Sequence, residues 1–245
     1  MPDSRWRTAA NTILPASVRG PVRARYHSAR ALLPRPFAAA SFARLGIGRL
    51  GDLSPWLRDG CKVPPVDVRT RQMLYELLAT NPIEVAVETG TLRGDTTAFL
   101  ARHCTRVVTI ELSADLAARA RTRFASTPGV EVVEGDSGRM LAEVLATVDE
   151  PALFWLDGHW SGDGTARGAV DCPLLAELET IGRWPHALRS VVAIDDAVRF
   201  GDDPGYPTLA ETKAFADRIG WDCFTMQNDV IVLHPFPQPG TITDP

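Results

Sequence analysis

From residue 83 onward, short apolar runs alternate with amphipathic stretches, and the runs stop on acids. IEVAVE (83–88), RVVTIE (106–111), VEVVEGD (130–136), ALFWLD (152–157) and VVAID (191–195) are the five runs. Their length and β-branched content fit buried strands. Between them, apolar residues recur at helical spacing. Met140, Leu141, Val144, Leu145 and Val148 share one face, as do Leu174, Leu175, Leu178 and Ile181. Strands alternating with helices predict a parallel sheet covered on both faces, an α/β doubly wound fold.

The remaining elements follow from local signals. RQMLYELLAT places Met73, Leu74, Leu77 and Leu78 on one helical face, and a further helix is predicted over 94–103. Ser113 is a cap for a helix to Phe124, Ser137 for the next, and Asp171 for the helix carrying Leu174. A last helix covers about 208–219. WDCFTM and VIVLHP flank Gln227-Asn228-Asp229 and read as a hairpin.

The first 66 residues differ. Eight of the 19 prolines fall within residues 1–65 and interrupt long helices. Residues 1–62 hold 11 Lys and Arg against 3 Asp and Glu, net +8, so the remainder of a chain of net charge −4 carries −12. We read residues 1–66 as a basic helical arm or lid and 67–245 as the main domain. The arm has no dense basic block and no nucleic-acid motif, so no nucleic-acid partner is expected. A lid, a homo-oligomer contact and a membrane-surface anchor stay open for it. No apolar run is long enough to span a membrane. MPDSRWRTAANTILP lacks the apolar core of a secretory signal, and Cys61, Cys104, Cys172 and Cys223 form no CxxC pair. Free thiols and a cytoplasmic location are expected.

In a doubly wound sheet, ligands bind at the carboxyl ends of the strands. Those ends carry Glu88, Glu111, Glu134, Asp136, Asp157, Asp195 and Asp196. Carboxylates crowded on one rim need donors or a cation. ETGTLRGDT (88–96) supplies a tight turn through Gly90 and Gly94. It is neither GxGxxG nor a lysine-bearing phosphate loop. Glu111, at the end of the next strand, is placed to accept ribose hydroxyls, which points to an adenosine ligand. Asp157, Asp195 and Asp196 suit a hard divalent cation.

Glu88, Gly90, Gly94 and Thr96 resemble the E-x-G-x-x-x-G-x-[ST] motif of catechol O-methyltransferase-like enzymes. The five strands and terminal hairpin resemble the class I methyltransferase fold, a Rossmann-like seven-stranded sheet with an antiparallel last strand. LDGHW and AIDDAV match the metal triad of those enzymes and of macrocin-type sugar O-methyltransferases. The resemblance covers residues 83–235. It implies S-adenosyl-L-methionine (SAM) bound by Glu88, Gly90, Thr91, Gly94, Thr96, Glu111, Asp136, Ser137, Asp157 and Trp160. It implies Mg²⁺ or another divalent cation on Asp157, Asp195 and Asp196, and a small hydroxylated acceptor such as a sugar, glycosylated metabolite or polyketide-like compound. The lysine that follows the strand-four acid in the catechol family is missing here, where the sequence reads SGDGTARG. His159, with Asp157, is then the candidate for proton transfer. Three alternatives stay open: a metal-independent N- or C-methyltransferase, a nicotinamide-dependent oxidoreductase and a non-catalytic module.

Overall fold

The computed structural model describes residues 66–159, 168, 172–203, 205–227 and 229–235. The expected arm, Trp160, Arg167 and the Asp171 cap lie outside these residues. Helix α1 (Val66–Thr80) crosses the boundary between the two units of the chain, Met1–Met73 and Leu74–Pro245. The second unit holds the sheet.

That sheet has seven strands: β1 (Val85–Thr89), β2 (Arg106–Glu111), β3 (Val130–Glu134), β4 (Ala152–Leu156), β5 (Val191–Ile194), β6 (Cys223–Gln227) and β7 (Val230–His234). Their order is β3-β2-β1-β4-β5-β7-β6. The first five are parallel, and β7 runs antiparallel to both β5 and β6. This is the seven-stranded doubly wound architecture that the sequence pattern predicts. The strand order reverses between β1 and β4, where such sheets open a crevice.

Burial explains the sequence of each strand. β1, β4, β5 and β7 are buried at every position, so both faces are covered and their residues are mostly apolar. β3 is an edge strand and half exposed, which is why it tolerates Glu131 and Glu134. β6 is the other edge and shields β7 from solvent.

The connecting helices are α2 (Asp95–Leu100), α3 (Ala114–Phe124), α4 (Ser137–Leu145), α5 (Leu174–Arg183) and α6 (Leu209–Ile219). Helix α3 presents Ala117 and Ala120 to the core, small residues that let it lie close to the sheet. Phe124 ends that face against Gly94, where an added Cβ would stand 2.7 Å from its ring. Helix α6 starts with a full capping box between Thr208 and Glu211.

Several expectations need correction. Helix α2 stops at Leu100, followed by a turn through His103. Ser137 is not the cap of α4. Asp136 is, accepting from Gly138 N at 3.0 Å, and Ser137 becomes the buried first residue. Helix α5 has Pro173 at its cap position. Leu175 is 45% exposed and lies off the core face.

Candidate active site

The strand register draws one row across the carboxyl rim. Thr89 is level with Ile110 and Leu156, and Leu156 with Ile194. One step further come Glu111, Gly90, Asp157 and Asp195, and Glu111 is level with Glu134. Backbone bonds continue into this step. Gly90 N donates to Ile110 O at 2.9 Å, Asp157 N to Thr89 O at 3.0 Å and Asp195 N to Leu156 O at 3.0 Å. The row is Glu134, Glu111, Gly90, Asp157, Asp195: four acids and one residue without a side chain. Glu88 lies two positions below Gly90 and, by the strand period, faces the same side.

Gly90 is required here. Its φ is +84°, and a Cβ would stand 2.2 Å from the Asp157 carbonyl oxygen. The turn after β1 therefore touches the segment after β4.

The acids divide by what surrounds them. Glu111 Oε2 accepts from Leu92 N at 2.8 Å, and Oε1 from Ser113 N at 2.9 Å. It fixes both the glycine turn and the start of α3. Glu134 pairs with Arg121 at 3.0 Å on the surface. Glu88 is buried, and desolvation pushes its carboxyl up to about 7 despite the hydroxyl of Thr97 that reaches it. Thr97, the neighbour of the motif residue Thr96, donates to Glu88. Thr91 is buried, and its hydroxyl bonds that of Thr109 on β2 at 2.6 Å.

Asp157 stands well above the usual carboxylate range, because of burial and then the charges of Asp195, Glu88 and Asp196. Burial pushes Asp195 up to about 6. Asp196 is lowered, chiefly by His159. His159 Nε2 lies 2.8 Å from Asp196 Oδ2, and its Nδ1 lies 3.6 Å from Asp157 Oδ1. Arg199 Nη1 approaches Asp196 at 3.4 Å, and its Nη2 approaches Asp203 at 2.8 Å. The guanidinium also lies 4.9 Å from the Tyr206 ring centre. The hairpin turn secures this segment, since Asp229 accepts from Ala197 N and Val198 N.

Asp157, Asp195 and Asp196 follow the adjacent strands β4 and β5 and lie near enough for their charges to act on one another. Their oxygen donor set fits a hard cation. Asp157 and Asp195 have the raised values of acids without enough positive charge, whereas Asp196 is turned toward His159 and Arg199. Among the described residues, no three acidic, histidine or cysteine side chains are gathered as a metal-binding group.

One buried acid was missed by sequence reasoning. Glu177 of α5 is 1% exposed, and desolvation raises its carboxyl to about 7. The Ser137 and Thr89 hydroxyls beside it pull that value partway back. Yet Glu177 Oε1 and Thr89 Oγ1 have no aligned hydrogen-bond partner. A signal existed: Leu174, Glu177, Leu178 and Ile181 follow the spacing of a buried helical stripe.

No helix among the described residues is long and apolar enough to cross a membrane. Cys104, Cys172 and Cys223 are free thiols.

No family model matches the chain. A curated rRNA methyltransferase of Streptomyces thermotolerans is 41% identical over 71 residues, 29% of this chain and 24% of that protein. The match thus spans about a quarter of the relative's length. Similar solved structures include a caffeoyl-CoA O-methyltransferase-like protein of Staphylococcus aureus, 17% identical over 76% of this chain and 91% of that one, with a TM-score of 0.47. An SAH-bound methyltransferase of Podospora anserina is 12% identical over 94% and 93% of the two chains, with a TM-score of 0.48. A 23S rRNA methyltransferase is 16% identical over 68% and 67%, with a TM-score of 0.41.

Proposed function

We propose that the chain is a SAM-dependent O-methyltransferase acting on a hydroxyl of a small molecule, with residues 67–245 as the SAM-binding domain and 1–66 as an arm. The observation that carries this reading is the row Glu111, Gly90, Asp157, Asp195, which puts an adenosine-type acid and an acid cluster on either side of a side-chain gap. Gly90, Gly94 and Glu88 would hold the methionine part of SAM. Each Glu111 oxygen has a lone pair left after its backbone bond, enough to accept ribose hydroxyls. Asp136 and Ser137 are the residues that would meet the adenine.

Asp157, Asp195 and Asp196 are the residues that would hold a divalent cation, which when bound lowers the pKa of the acceptor hydroxyl. The acceptor oxygen attacks the methyl carbon. The carbon–sulfur bond breaks, and the sulfonium becomes a neutral thioether. The proton would pass to His159, whose ring nitrogens lie 3.6 Å from Asp157 Oδ1 and 2.8 Å from Asp196 Oδ2.

The 71-residue likeness favours a second reading, methylation of RNA. A rim carrying Glu111, Asp157 and Asp195 repels phosphate, so the small-molecule reading is preferred.

Calorimetric titration with SAM, with NAD⁺ in parallel, is the first test. Micromolar SAM binding that is lost in Glu111→Ala is expected, and absence of SAM binding overturns the reading. Turnover of a hydroxylated acceptor that survives chelation would remove the cation. Methylation of an rRNA fragment in preference to small acceptors would favour the second reading.

A further inference from the structure

Beneath the acid row lies a second polar cluster. A Cβ placed on Gly158 would meet Thr89 Oγ1 at 3.0 Å, Ser137 Oγ at 3.1 Å and Glu177 Oε1 at 3.2 Å. Three side-chain oxygens from β1, α4 and α5 thus converge on the residue between Asp157 and His159. Two of them, Thr89 Oγ1 and Glu177 Oε1, are buried without an aligned partner. So is the Tyr206 hydroxyl, which comes from the segment after β5.

Glu177 and Tyr206 line one small cavity together with Gly158, His159 and Asp195. Its volume is about 10 Å³. That is close to the minimum for one water molecule, and such a water needs two to four polar partners. A buried carboxyl oxygen and a phenol left unpaired lose their hydration without replacement, so a shared water is favoured.

We propose that this cavity is a built site for a single internal water shared by Glu177 and Tyr206, and that Glu177 is a positioning residue of the active site. Through the water it joins α5 to the segment after β5. With Thr89 and Ser137 it fills the space beside Gly158. His159, the next residue, packs at a tilt against Tyr206 with ring centres 5.4 Å apart and is held toward Asp196. The cluster therefore sets the imidazole from two sides. Its effect on methyl transfer rests on the function proposed above, whereas its geometry does not.

A crystal structure of the full chain tests the geometry. One water within about 3.2 Å of both the Glu177 and Tyr206 oxygens is expected. A direct bond between the two residues, or a dry cavity, overturns the proposal. Tyr206→Phe, Glu177→Gln and Glu177→Leu test the role by NMR of the His159 ring and by kinetics. Tyr206→Phe and Glu177→Leu should shift the His159 resonances and lower kcat about 10-fold, with SAM affinity nearly unchanged. Glu177→Gln keeps a polar partner for the water and should preserve the wild-type resonances. Unchanged His159 resonances in both Tyr206→Phe and Glu177→Leu would refute the positioning role. A protein that fails to bind SAM still reports on the imidazole, so failure of this inference and failure of the function are distinct results.

Discussion

The two halves of the acid row both carry carboxyl groups and set them in opposite surroundings. On the β2–β3 side, Glu111 takes two backbone N–H groups and Glu134 takes Arg121. On the β4–β5 side, Asp157 and Asp195 face each other and are raised. A strand-end carboxylate is thus a structural clamp where donors reach it and a cation- or proton-seeking group where they do not. Neighbours decide the role, and the residue type alone does not.

The sharpest way to break this contrast is Asp157→Asn. It should reduce turnover about 1,000-fold while raising the melting temperature, because a crowded, desolvated charge disappears. A lower melting temperature would place Asp157 with the clamps. Gly90→Ala, at the junction of the halves, should destabilise by roughly 4 kcal/mol in denaturant titration, from the close approach to the Asp157 carbonyl and the positive φ.

Glu177 extends the contrast beneath the β4–β5 half. Its folded value of about 7 exceeds the ordinary 4.5. Stability from the protonated form is therefore full below pH 4.5 and is lost as pH rises through 7. Glu177→Gln should remove up to about 3 kcal/mol of that dependence, seen as a melting-temperature gain over wild type that grows from pH 5 to pH 8. Glu111→Gln should cost about 2 kcal/mol, because an amide nitrogen then faces one of two backbone donors. Arg121→Ala should cost less than about 1 kcal/mol, as its pair with Glu134 is solvent-exposed.

The strands were legible because buried parallel strands must be apolar on both faces. RVVTIE matches β2 at both ends. Acids ending these runs mark the rim in the sequence itself. Chemistry that depends on side-chain direction was less legible. Thr96 and Thr97 are neighbours in sequence, but only one turns to Glu88. Asp136 and Ser137 are both good caps, and the backbone selects Asp136. Glu177 was passed over because an acid in an amphipathic helix is ordinarily solvated. Its burial follows from Thr89 and Ser137, which only the fold brings near. The row itself needed the register, since no spacing along the chain tells that Gly90, Asp157 and Asp195 stand level.

The left-handed backbone at Asp196, with φ of 57°, limits what a mutational library will return there. Only Gly, Asn and Asp enter that conformation cheaply. Among variants selected for folding alone, position 196 should collect Asn and Gly and shun β-branched residues. Asp195, on ordinary backbone, should accept a wider set once its charge is dispensable. Deep sequencing of such a library would separate constraint imposed by conformation at 196 from constraint imposed by chemistry at 195.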